Sequence, residues 1–196
     1  MICPRILIPK SVKHDHDELR GLIGWAMSDL DDTTEVHVKA RALRYCWEVR
    51  RRLTDGGFHV HGGPKASLVA RYGAENVARF TDWGPYWTSG RAYDGVPEIA
   101  NVGHGTDRLV TLCVPNPDAF ACNSYPLERV YRGKEKSSRD WPRLNLTGWC
   151  DDVVSVAAHE ARHILQFTNG DPASEMDAER YSFARLAEWR EATVSA

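Results

Sequence analysis

The sequence predicts a single α+β domain spanning residues 1–196, with a small mixed sheet and N-terminal helices in one half and two consecutive helices in the other. Three observations carry that prediction. Short runs rich in aliphatic and β-branched residues, Arg5 to Pro9 and Asp107 to Val114, read as strands. Apolar residues recur at helical spacing from His16 to Leu30 and again after Asp151. The second of these helices carries H-E-x-x-H and runs almost directly into another rich in glutamate.

A chain of 196 residues is long enough to bury one core of its own. Its net charge of −2 provides no basic footprint, so nucleic-acid binding is not indicated. The apolar runs are short, and neither a membrane span nor a signal peptide is expected. The five cysteines are odd in number, scattered and without C-x-x-C spacing, which points to reduced thiols and a cytoplasmic location.

In chain order, Arg5 to Pro9 is the first strand. His16 to Leu30 is a helix with Leu19, Leu22, Ile23, Ala26, Met27 and Leu30 on one face; His14 and His16 precede it as solvated side chains. Thr33 to Leu53 places Val36, Ala40, Leu43 and Trp47 at helical spacing and is read as helix over most of its length, although Glu35 to Lys39 also alternates like a strand. Arg50, Arg51 and Arg52 form its wet face. Phe58 to His61 reads as a short strand edge with His59 and His61 on one side, and Lys65 to Phe80 as partly helical. Thr81 to Val96 interleaves Trp83, Tyr86, Trp87 and Tyr93 with glycines, the composition of an ordered aromatic loop that either binds a ligand or folds its rings onto the core. Asp107 to Val114 is the strongest strand, and Pro97 to Val102 is its expected partner across Gly103-His104-Gly105. Pro115 to Trp149 is irregular and proline-rich, a candidate substrate-facing loop.

The chemistry lies in Asp151 to Tyr181. His159 and His163 are four residues apart, so on a helix both imidazoles reach one point in space and form a metal clamp. Glu160 projects beside the clamp, where it can take a proton from a water without displacing it. Asp151 and Asp152 offer an N-cap, and Asn169-Gly170 closes the helix. On the next helix Asp171 can cap and Pro172 suits the first helical position, while Ser174-Glu175-Met176-Asp177 also fits a capping box. Glu175, Ala178, Glu179, Ser182, Leu186 and Trp189 share one face there, and the small residues allow it to approach the histidine helix with a carboxylate. Three protein ligands and a water make a catalytic zinc arrangement.

This stretch resembles the gluzincin class of zinc metallopeptidases, in which a glutamate on the helix after H-E-x-x-H is the third ligand. More narrowly, Glu175 to Ser182 is similar to the E-x-E-A-D/N-x-F/Y-A signature of small bacterial and phage members, including the ImmA/IrrE-like group. The resemblance implies a zincin-like domain with His159, His163 and Glu175 as ligands of Zn2+, Glu160 as the catalytic base, and Glu179 supporting a histidine ligand from behind. Glu179 stands where Asp or Asn is usual and Ser182 where Ala is usual. The expected reaction is zinc-dependent hydrolysis of a peptide or protein substrate. His104, Tyr125, Tyr131 and Tyr181 are candidates to stabilise the oxyanion on chemical type alone. The alternative is a catalytically silent binding or assembly protein on the same scaffold, for which an intact Glu160 would be unnecessary.

Overall fold

The computed structural model describes residues 4–40, 89–97, 100–114, 127–130 and 143–194. These form β1 (Arg5–Leu7), α1 (His16–Ala26), β2 (Thr34–Ala40), β3 (Ser89–Tyr93), β4 (Arg108–Val114), β5 (Leu127–Val130), β6 (Arg143–Leu146), α2 (Trp149–Asn169) and α3 (Glu175–Val194). The result is a mixed α and β architecture with a four-stranded sheet in the order β1-β2-β4-β3. β2 runs parallel to β1 and β4, while β3 is antiparallel to β4 and lies at one end of the sheet. β5 and β6 form a separate antiparallel pair. No helix among the described residues is long and apolar enough to cross a membrane.

The core follows from strand alternation meeting helix periodicity. Val36, Val38, Val110 and Leu112 on the central strands join Leu19, Leu22, Ile23 and Ala26 of α1 and Val154, Ala157, Ala158 and Ala161 of α2 in one buried cluster. Each fully buried valine or leucine contributes about 1.5–3 kcal/mol. α2 sits at the centre, packed against α1, α3, β3 and β4.

Several elements differ from the sequence-based expectation. Thr34–Ala40 is a strand and not the start of a helix. Both periods fit its apolar residues, but as a central strand it buries Val36 and Val38 on one face while Glu35, His37 and Lys39 lie on the other, and parallel pairing on both sides outweighs the helical alternative. The remainder of that predicted helix, Arg50 to Arg52 and the His59 and His61 strand fall outside the described residues, as does Lys65 to Phe80. The partner of β4 is β3 and not Pro97 to Val102, whose described part instead turns through a hydrogen bond from the Ala100 amide to the Pro97 carbonyl. The end strand was therefore hidden in the stretch read as an aromatic loop. His14 is buried, its ring 4.2 Å from that of Trp149, and so is not a solvated side chain, whereas His16 is half-buried with Nε2 3.0 Å from the Val12 carbonyl.

α2 begins earlier than expected. Its N-cap is Gly148, so Asp151 and Asp152 lie inside the first turn. Asp151 accepts from the amide and hydroxyl of Thr147 at 2.6 and 2.7 Å and from Arg190 of α3 at 2.6 Å. Burial alone would raise its pKa, but the bonds from Arg190 and Thr147 outweigh burial and hold the carboxyl below the usual range. Negative charge at the start of α2 is thus tied to the end of α3. At its other end α2 stops at Gly170, whose φ of 72° is readily adopted only by glycine. The Asp171 amide then donates to the Gln166 carbonyl at 2.8 Å, reversing the chain sharply enough to bring α3 back along α2. Ser174 caps α3: its hydroxyl accepts from the Asp177 amide at 3.3 Å, and Asp171 and Pro172 stay outside the helix.

Candidate metal centre

α2 and α3 meet through small side chains. Ala178 and Ser182 are fully buried on the face of α3 that also carries Glu175 and Glu179, and the close approach leaves both carboxylates facing the histidines of α2. His159 and His163 are both buried, with ring centres 4.8 Å apart and Nε2 atoms 3.1 Å apart. Glu175 presents one carboxylate oxygen 3.3 Å from His159 Nε2 and the other 3.6 Å from His163 Nε2. One ligand atom from each of the three residues fits within 4.8 Å.

The opposite ring nitrogens face away from this point. His159 Nδ1 lies 3.5 Å from Oε1 of buried Glu179, and His163 Nδ1 lies 2.9 Å from Oε1 of Gln166. An acceptor beside Nδ1 of His163 favours its ring proton on that side and leaves the Nε2 lone pair toward Glu175. With His159 Nε2 and the Glu175 carboxylate beside it, the cluster presents three atoms that could hold a metal ion. Donors about 2.0–2.1 Å from a tetrahedral zinc stand roughly 3.3–3.4 Å apart, close to the separations seen here. The residues fit a zinc ion held by two imidazoles and a carboxylate.

Glu160 takes the remaining side of the site. A Cβ on Gly90 of β3 would stand 2.7 Å from both Cδ and Oε1 of Glu160, and closer still to Cγ. The carboxyl therefore rests on bare backbone, between the clamp and the end strand. Gly90, Arg91 and Ala92 of β3 line a cleft of about 310 Å³ together with the two histidines and Glu160, and Phe167, Ala173 and Glu175 complete its wall.

Asp177 stays out of the site. Its carboxylate accepts from Arg162 Nε at 2.6 Å and Gln166 Nε2 at 2.8 Å; these bonds, Arg162 first, hold its pKa below the ordinary value. Two of the candidate oxyanion residues are also placed elsewhere. The Tyr181 hydroxyl donates to Asp29 at 2.5 Å, with burial first and Asp29 second raising its pKa, and His104 lies in the turn whose carbonyl accepts from Arg5 of β1. Tyr125 and Tyr131 fall outside the described residues.

Sequence reasoning missed Gly90 and Gln166. Nothing local marks Gly90, because its role depends on a strand brought from far upstream. Gln166 had a signal, since a position three residues after His163 shares its face of the helix. Compared with protein-family models, curated proteins and solved structures, the chain matches none of them.

Proposed function

We propose that this protein is a zinc-dependent peptide hydrolase of zincin-like build. The observation that supports this reading best is the convergence of His159 Nε2, His163 Nε2 and the Glu175 carboxylate on one side of a cleft that also holds Glu160. His159, His163 and Glu175 would hold the ion, leaving room for a water as fourth ligand. When bound, zinc supplies Lewis acidity toward a carbonyl oxygen and lowers the pKa of a coordinated water toward about 7.

The chain's own residues do the rest. Glu160 is the base: its carboxylate takes the proton of the attacking water and returns it to the leaving amine. Gly90 leaves the space that this carboxylate occupies. Glu179, whose Oε1 lies 3.5 Å from His159 Nδ1, would support that ring from behind. β3, which among the described residues is an end strand and lines the cleft, offers backbone groups to which an extended peptide can add as a further strand. Ala92 lines the cleft with a small side chain, and the Phe167 ring provides an apolar wall.

The test is to load purified protein with zinc, measure metal by elemental analysis, and follow cleavage of unfolded casein and a mixed peptide library with and without chelator. About one zinc per chain and chelator-sensitive cleavage are expected. Bound zinc without cleavage of either substrate would favour a silent scaffold, and absence of zinc would overturn the reading.

A further inference from the structure

We infer that Gln166 is a positioning residue that sets the tautomer of His163 and, with the same side chain, docks the turn that carries Glu175. The consequence for zinc rests on the metal reading above, whereas the tautomer and the docking are properties of the chain itself.

Gln166 is 1% exposed, so its amide finds its partners within the protein. Its orientation follows from Ser174, whose backbone groups have fixed roles. The Ser174 amide can only donate, and it lies 3.2 Å from Oε1; the Ser174 carbonyl can only accept, and it lies 3.3 Å from Nε2. The second contact of Nε2 is the Asp177 carboxylate at 2.8 Å, another acceptor. Flipping the amide would set donor against donor at the Ser174 amide and acceptor against acceptor at the other two. Oε1 therefore faces His163 as an acceptor, and a neutral ring 2.9 Å away must donate its proton from Nδ1. The lone pair is then on Nε2, on the side of His159 and Glu175.

The same amide also closes the junction between α2 and α3. Glu175 is 61% exposed and follows directly on Ser174, so its placement depends on the turn that delivers it. Gln166 grips that turn at both backbone groups of Ser174 and at Asp177, whose same carboxylate oxygen also accepts from Arg162 of α2. One side chain thus governs the donor atom of one ligand and the position of another. His159 is backed differently, by the carboxyl group of Glu179.

Two variants separate this role from general packing. Gln166→Met removes the acceptor and both donors at similar volume, while Gln166→Glu keeps an acceptor for His163. The measurement is long-range 15N–1H correlation of the histidine rings in chelator-treated, full-length protein at a pH where the rings are neutral, with hydrogen exchange at the Ser174 amide recorded alongside. The native chain and Gln166→Glu should show His163 in the Nδ1–H form, and Gln166→Met should shift it toward Nε2–H. Exchange at Ser174 should rise roughly tenfold in Gln166→Met. Titration with zinc alone against a competing chelator should then show affinity about 10- to 100-fold weaker for Gln166→Met than for the native chain. An Nε2–H ring in the native chain, or an unchanged Nδ1–H ring in Gln166→Met, overturns the tautomer role; unchanged exchange at Ser174 overturns the docking role. Should Gln166→Met not fold, the native chain and Gln166→Glu still decide the tautomer. The ring and exchange readings are taken without metal, so a protein that binds no zinc would defeat the metal reading and leave this one to its own evidence.

Discussion

Two clusters in this protein are built from the same residue types and come out opposite. On β2, buried Glu35 meets His37 Nε2 at 2.5 Å, Arg5 at 3.2 Å, the Gly103 amide at 3.0 Å and the Thr106 hydroxyl at 3.3 Å. Both carboxylate oxygens are met by donors, and the charge is balanced in place. Between α2 and α3, His159 Nε2, His163 Nε2 and the Glu175 carboxylate stand within 3.1–3.6 Å of one another, and a cleft opens onto them. Histidine beside glutamate is not what marks a site. The first cluster is closed by its own donors; the second faces a cleft and, on the reading proposed above, takes a cation.

The sharpest way to break that comparison is to remove a histidine from each cluster. His159→Ala or His163→Ala should abolish zinc binding, and His37→Ala should leave about one zinc per chain; elemental analysis after dialysis reads both. Zinc retained in both α2 variants would mean that the α2–α3 cluster is as self-contained as the one on β2.

Next in size are two changes aimed at Glu160. Glu160→Gln should keep zinc and lower kcat by about 10²- to 10⁴-fold, since a carboxamide cannot take the water proton. Gly90→Ala should do much the same by a different route, because its methyl would occupy space the Glu160 carboxyl fills. Full activity in Gly90→Ala would show that the carboxyl works from elsewhere.

A smaller effect separates the two glutamates of α3. Glu179→Gln should weaken zinc binding by about 10- to 100-fold through the His159 ring it supports, and Glu175→Gln, which removes a ligand, should cost more. Competition titration that ranked them the other way would exchange their roles.

How much of this was legible depended on sequence distance. His159, Glu160 and His163 lie within one helix, where spacing alone fixes relative position. Glu175 and Glu179 follow across a tight turn whose Gly170 was itself readable, and Glu175 lies beside the two Nε2 atoms and Glu179 beside Nδ1 of His159. The sheet side was much less legible. β2 carried two competing periods that only its neighbours could decide between, and β3 is five residues long inside a glycine-rich aromatic stretch. Gly90 is chemically silent until a carboxyl from α2 is laid against it.

The smallest effect on the metal, and the clearest on stability, is expected at Glu35. Burial alone would raise its pKa, but the hydrogen bonds from His37 and Gly103 outweigh burial and, with the charge of Arg5, hold the carboxyl below its ordinary value of 4.5. A carboxylate with a depressed folded-state pKa stabilises the fold above its unfolded pKa, and that stability is lost as pH falls through the folded value. Its contribution should be complete at neutral pH and begin to fade as pH drops toward about 4.5, the same sense as for Asp151 and Asp177, whose ordinary value is 3.8. Glu35→Gln would put an amide donor among donors and should cost about 1–3 kcal/mol at pH 7. Because the lost group no longer titrates, the gap between variant and parent should narrow as pH falls. Urea unfolding of metal-free protein at pH 7, 5 and 3.5 reads this directly, while zinc affinity at pH 7 should be unchanged. A gap that stays constant across that range would mean that Glu35 is not held as an ion, and a loss of zinc affinity would mean that the two clusters are not independent.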